Sequence, residues 1–332
     1  MKNVVVSVLL LFSLSAHAEP KKLLIYNFAE QTYENAFTAV AKEMGVELEL
    51  NHDNPAILMS NLKDPNLPEK PDLVLNFDAL SFNEFSKAGL LAPIHSARLE
   101  AAVPAQFRKL EDGWLGLSYH ARTMVVNPQV PGIEAIQNYE HLADPRWKGQ
   151  VCLRHATHTY TRALIASLLF ALGEELTEKM LAGWVANNDD EIFKGDLYVL
   201  QAIEAGDCAV GLVNSDYFGR YTAQYPDSPL QLRWANQSGR GAHLNISGMA
   251  MLKQSTRSAL AQEFLERSAE SAEAMIAFAD AKKDYPANPA FQARSGIVEK
   301  FGPFKGDVLS VSEIAARDEA AKAVAKKVGY NP

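Results

Sequence analysis

The sequence predicts an α/β protein of two lobes, each a mostly parallel sheet flanked by helices, joined by two hinge strands. Three observations predict it. Short apolar stretches bounded by turn residues alternate with segments of helical period, the βαβ pattern that right-handed crossovers build into parallel sheet. The chain of 332 residues is longer than a single core usually serves. Two long extended segments, 114–127 and 241–251, lie far apart in the chain, where two crossings between discontinuous domains would fall.

In chain order, Leu23–Tyr26 reads as a strand, and 33–44 carries Ala36, Phe37, Val40, Ala41 and Met44 at helical spacing, stopped by Gly45 as a left-handed end residue. Val46–Leu50 alternates with period two, a strand with one polar face. Pro71–Asn76 is a third strand leading to Phe77, Asp78 and Ala79, followed by a helix over 82–88 closed by Gly89. Residues 114–127 show no helical period and form one long strand. Residues 142–234 hold their own set: a strand at Val151–Leu153, helices over 160–172 and 174–187, and a buried apolar strand Ala209–Val213. After 252 the chain is expected to be helical throughout, including 258–281 and the alanine-rich 312–328. The expected boundaries are 19–123 plus 247–332 for the first lobe and 124–246 for the second. No internal repeat or low-complexity linker occurs.

Residues 1–18 have an early lysine, an apolar run from Val4 to Phe12 and a small-x-small site at Ala16–Ala18. This is the pattern of a secretory signal peptide, with Glu19 expected as the mature terminus and the periplasm as the destination. No other stretch reaches the roughly 18 apolar residues of a membrane span. The net charge of −8 and scattered lysines and arginines argue against nucleic acid as a partner. The only two cysteines, Cys152 and Cys208, each adjoin a predicted strand and suggest a disulfide in an exported chain. Two buried free thiols are the alternative; a thiolate metal pair lacks further soft ligands.

The stretch 205–220 draws the most attention, because the apolar strand runs directly into Asn214, Ser215, Asp216 and Tyr217. In open α/β sheets, ligands bind outside the carboxyl ends of strands. No nucleophile elbow, phosphate loop, dinucleotide fingerprint or zinc-protease motif occurs, and Glu30 with Asp216 is a feeble acid–base pair, so an enzyme is not expected.

Five segments taken together resemble the periplasmic ferric-iron-binding proteins, the substrate-binding components of iron(III) ABC transporters. They are Asp144–Gly149 (DPRWKG), Val151–Arg154, His158–Tyr160, Gly206–Ser215 (GDCAVGLVNS) and Asn236–Gly248 (NQSGRGAHLNISG). The resemblance spans nearly the whole mature chain, through Tyr285–Pro289 to Lys305. It implies a type II periplasmic binding protein fold that closes on its ligand by a hinge, a monomer, no catalysis, Fe(3+) as the transported ligand and an inner-membrane ABC permease as partner. By the same resemblance, Tyr160 and Tyr217 fall where relatives place phenolate ligands. Iron(III) favours anionic oxygen donors, and the metal's charge lowers the pKa of a coordinating phenol.

Two departures change the expected shell. The Asn-Ser-Tyr-Tyr of relatives is here Asn214, Ser215, Asp216, Tyr217, and the first-loop Arg followed by His/Tyr or by Gln is Ala29, Glu30, Gln31. A shell rebuilt with carboxylates would use Tyr160, Tyr217, Asp216 and Glu30. Arg122, Asn214, Ser215 and His158 are expected to support it or to contact an anion. The alternative, a small organic or anionic solute, would be held by Arg122, Asn214 and Ser215. Each residue also has an ordinary explanation: Tyr160 as a helix-start residue, Asp216 as an N-cap, Asp78 as a turn residue, Glu30 as a loop acid. Tyr119 and His120, beside Arg122 on the long strand, are placed behind it.

Overall fold

A computed structural model describes residues 21–27, 35–52, 55–64, 66–292 and 294–330. Residues 1–18, Glu30 and Gln31 lie outside the described residues, so the expectations placed on them have no structural counterpart.

Eleven strands among the described residues form one sheet: β1 (Lys21–Asn27), β2 (Val46–His52), β3 (Leu73–Phe77), β4 (Arg108–Lys109), β5 (Trp114–Val126), β6 (Val151–Arg154), β7 (Asn188–Phe193), β8 (Val210–Asn214), β9 (Gln231–Arg233), β10 (His243–Met251) and β11 (Tyr285–Pro286). The main order is β2-β1-β3-β10-β5-β8-β6-β7, with β4, β9 and β11 pairing onto β5. Both flanks are parallel, β1 with β2 and β3, and β6 with β7 and β8. The seam is antiparallel: β10 pairs with β3 and β5, and β5 with β8. Thus the two long extended segments of the sequence become the central strands β5 and β10.

Burial explains why β5 is so long. All of its 13 residues are buried except the half-buried Tyr119. Trp114, Leu115, Leu117 and Ala121 pack into one apolar cluster, while Met124 and Val126 pack into another. The first cluster gathers β1, β3 and β10 around Phe37, Phe82, Phe264 and Phe278. The second is built on Tyr139, Trp147, Leu164 and Trp184. A third surrounds the Cys152–Cys208 disulfide with Val199, Ile203, Val213 and Phe218, which realises the expected pairing. At the seam, β10 carries an irregularity between Ser247 and Gly248. A Cβ on Gly248 would lie 2.1 Å from the Leu115 carbonyl oxygen, so only glycine allows this approach.

Three expectations are corrected. The carboxyl-terminal segment, expected in the first lobe, packs Ile314, Ala315, Ala321, Val324, Ala325 and Tyr330 into the second cluster. The helix Asp318–Lys327 has one apolar face and finds its cover on the helices Thr159–Leu172 and Glu174–Asn187, anchored by Arg162 Nε donating to Asp318 Oδ1 at 2.7 Å. The described residues of 283–310 are not helical apart from Gly296–Glu299, because Pro286, Pro289 and Pro303 remove the donors a helix needs. Finally, Asp216 is not an N-cap. The helix Ser215–Gln224 starts directly after β8 with Asn214 as its cap residue, and Asp216 is inside the first turn.

Candidate metal centre

Parallel pairing of β6 and β8 places their carboxyl ends side by side. Each end feeds a helix, Thr159–Leu172 from β6 and Ser215–Gln224 from β8, so two helix amino termini converge. Tyr160 is the second residue of one helix; Asp216 and Tyr217 are the second and third of the other. Unpaired N–H groups and the helix dipole make such ends favourable to anionic oxygen.

The Tyr160 and Tyr217 rings meet edge to face with centroids 6.3 Å apart. Both side chains are half-buried. The Arg154 guanidinium lies over both, 5.2 Å from the Tyr160 ring and 6.0 Å from that of Tyr217, and Arg220 lies 4.1 Å over Tyr217. Lost hydration, then the charges of Tyr217, Asp216 and Asp78, push the Tyr160 phenol well above its ordinary range, with Arg154 opposing. Tyr217 is raised by burial, then by Asp216 and Asp196, against Arg220 and Arg154. Asp216 is buried; its Oδ2 accepts from Arg220 Nη2 at 3.0 Å, while its Oδ1 has no hydrogen-bond partner among the described residues.

The remaining expected residues form the frame. His158 caps the helix with Nδ1, accepting the Tyr160 N–H at 3.2 Å. Burial and the nearby Arg154 charge push its pKa down to about 3, so the ring is neutral. Arg122 donates to Asp196, to Asn214 Oδ1 at 2.9 Å and to the Leu212 carbonyl at 2.9 Å. Asp196, wholly buried, also accepts from Arg154 Nη1 at 3.1 Å and the Asn214 N–H at 2.9 Å. Two arginines balance its burial and hold its carboxyl below the usual range. Ser215 Oγ accepts the Ala121 N–H at 3.2 Å. Arg122, Asn214 Oδ1 and Ser215 are thereby engaged in interior contacts, while Asn214 Nδ2 has no partner among the described residues. Asp78 caps the helix Ala79–Lys87 through Ser81 N–H at 2.8 Å.

The structure adds a group that the sequence placed behind the others. His120 is buried on β5; its Nδ1 is 3.4 Å from Asp284 Oδ1. Burial alone would lower its pKa, but the carboxylates of Asp284 and then Asp216 outweigh that and hold it above the usual histidine range. Asp284 is fixed by Ser118 Oγ, which donates at 2.6 Å. One ligand atom from each of His120, Asp216 and Asp284 falls within 4.8 Å of the others. The His120 ring stands edge to face with Tyr160 at 5.9 Å. A signal for it existed in the sequence: Ser118, His120 and Arg122 recur with period two in an otherwise apolar strand, so they share one face of β5. Nothing comparable marks Asp284. A cavity of about 740 Å³ lies elsewhere, on the Tyr119 side, lined by Phe107, Tyr119, Tyr285, Phe291 and Phe304, and none of these donors lines it.

Phenol, carboxylate and imidazole groups suit a hard or borderline cation. Residues 68–303 match the model of the family described as bacterial extracellular solute-binding protein. The chain is 29% identical over 314 residues to iron uptake protein A1 of Synechocystis, covering 92% of this chain and 85% of that one. It superposes on the Trichodesmium protein IdiA (FutA) in complex with iron and citrate with a TM-score of 0.88 and 28% identity, over 93% of this chain and 100% of that one. The ferric iron-binding protein A of Mannheimia haemolytica in an open conformation gives 0.86 and 27%, over 94% and 99%.

Proposed function

We propose, from the premise that this chain belongs to the bacterial extracellular solute-binding protein family, that it captures ferric iron and delivers it to an ABC-type permease. Relatives named for iron uptake and ferric-iron binding support this reading along nearly the full chain. The observation that carries it is the convergence of the Tyr160 and Tyr217 rings at 6.3 Å, from two helix starts, beside a carboxylate oxygen with no partner among the described residues.

In this reading Tyr160 and Tyr217 bind as phenolates and Asp216 through Oδ1, with Arg220 holding Oδ2 in place. Fe(3+) has the charge to displace phenolic protons that burial otherwise retains. Arg154 and the helix amino termini stabilise the phenolates as they form. Glu30 supplies a carboxylate from the first lobe, and the lobes close because the full donor set is assembled only in the closed state. Residues 1–18 direct export, and the protein works in the periplasm.

Ferric citrate added to the purified protein should produce the visible colour of phenolate-to-iron charge transfer. Tyr160→Phe and Tyr217→Phe should each weaken or shift it. No colour in the wild type, together with an unchanged melting temperature, overturns the proposal.

A further inference from the structure

We infer that His120, an imidazole on the central strand β5, is a further donor to this metal ion, with Asp284 fixing its ring. The described residues would then supply the ion with two phenolates, the Asp216 carboxylate and one imidazole. This inference rests on the ferric reading above and specifies the donor set of the same site.

The argument starts from the pleat. Ser118, His120 and Arg122 face one side of β5. Ser118 is spent on Asp284 and Arg122 on Asp196, Asn214 and Leu212. His120 has Nδ1 against Asp284 Oδ1 at 3.4 Å, but its Nε2 has no hydrogen-bond partner among the described residues, although the side chain is only 3% exposed. Buried polar atoms are ordinarily satisfied, so an unsatisfied imidazole needs a reason. Asp216 Oδ1 is in the same position, buried and without a hydrogen-bond partner among the described residues. Two open ligand atoms of different chemistry, both beside Tyr160, suit a shared cation.

The division of labour between the two carboxylates follows from their contacts. Asp284 is anchored by Ser118 and lies against His120 Nδ1, the arrangement by which a carboxylate orients a metal-ligating histidine and fixes its tautomer. That leaves Nε2 for the ion. Asp216 has the opposite character, with one oxygen tied to Arg220 and the other open. The buried Lys282 ammonium acts on both carboxylates and offsets the charge of two acids in one place. On binding, any proton on Nε2 passes to solvent and Nδ1–H stays directed at Asp284. Because β5 is shared by both apolar clusters, an imidazole from it ties the ion to the strand about which the lobes would move.

The test is pulsed electron paramagnetic resonance on the full chain loaded with ferric citrate. The expected result is hyperfine coupling to a directly bound imidazole nitrogen, retained in His158→Gln and lost in His120→Gln, which keeps a phenolate colour. Asp284→Asn should keep the coupling but weaken iron binding by about 10- to 100-fold, the usual cost of removing an orienting partner. Colour without nitrogen coupling in the wild type, or coupling that survives His120→Gln, overturns the inference and leaves the phenolate site standing. No colour in any form removes both. A wild-type spectrum without nitrogen coupling overturns the inference even if His120→Gln does not fold, and His120→Asn serves as a second variant for assigning a coupling that is present.

Discussion

Removing one hydroxyl should change how many protons leave when iron arrives. In the metal-free protein Tyr160 and Tyr217 are both held above the ordinary phenol range, chiefly by burial and then by neighbouring negative charge. Both are therefore protonated at neutral pH, and each must give up its proton to ligate the metal. Acidification supplies the competitor, so affinity falls as pH falls. Each phenol that ligates contributes a factor of about ten in affinity per pH unit. Tyr217→Phe should thus release one proton fewer per iron than wild type and flatten the pH dependence of the dissociation constant by that tenfold factor. An indicator-dye titration with ferric citrate in weak buffer measures the first quantity, and citrate competition across pH measures the second. Both are differences between two chains, so the hydrolysis of free ferric ion cancels. An unchanged proton count with undiminished colour would refute the reasoning and place the ion away from Tyr217. The metal-free protein carries the complementary signature. Its folded phenols ionise later than unfolded ones, so its stability should fall as pH rises above about 10.

Asp196→Ala leaves Arg122 and Arg154 buried without their shared carboxylate and should destabilise the metal-free protein by about 3–5 kcal/mol in urea unfolding; a loss within error would show that the triad is not balanced as drawn. Reducing the Cys152–Cys208 bridge, which joins residues 56 apart in sequence, should cost about 4 kcal/mol by the same assay. Glu30→Gln should lower iron affinity without abolishing the phenolate colour, measured by citrate competition; an unaltered affinity removes the first-lobe carboxylate from the shell.

The strands were legible because apolar runs and period two are local. β1, β2, β3, β5 and β10 fall where the pattern puts them, and Gly45 ends its helix in the left-handed conformation that its position implied. The tail was not legible. An amphipathic helix such as Asp318–Lys327 declares that it needs a partner but not which one, and the choice was made by the helices Thr159–Leu172 and Glu174–Asn187, remote in sequence. The site divides in the same way. Tyr160 and Tyr217 could be placed at strand ends from sequence and resemblance, and the structure brings their rings together. Asp284 had no local mark, because its meaning comes from β11 pairing its neighbours against β5 and delivering it to Ser118 and His120. Arg122, expected to support the shell or to contact an anion, pairs with Asp196, a helix residue that only the folded chain sets beside it.

In the proposed shell a carboxylate at Asp216 stands where relatives carry a phenol, and each brings one negative charge. Two phenolates with Asp216 match the three charges of Fe(3+), and Glu30 would add a fourth. The bound centre would then carry one net negative charge beside the Arg154 and Arg220 guanidinium groups, which limits the cost of placing it where water is partly excluded. In this reading specificity follows from the same count. A divalent ion would leave one more negative charge uncompensated than Fe(3+) does and has less charge with which to displace two protons that burial retains. Arg154 and Arg220, fixed over the rings, assist each phenolate as it forms but have no hold on a neutral phenol beyond its ring face, so their help is greatest for the ion that ionises both.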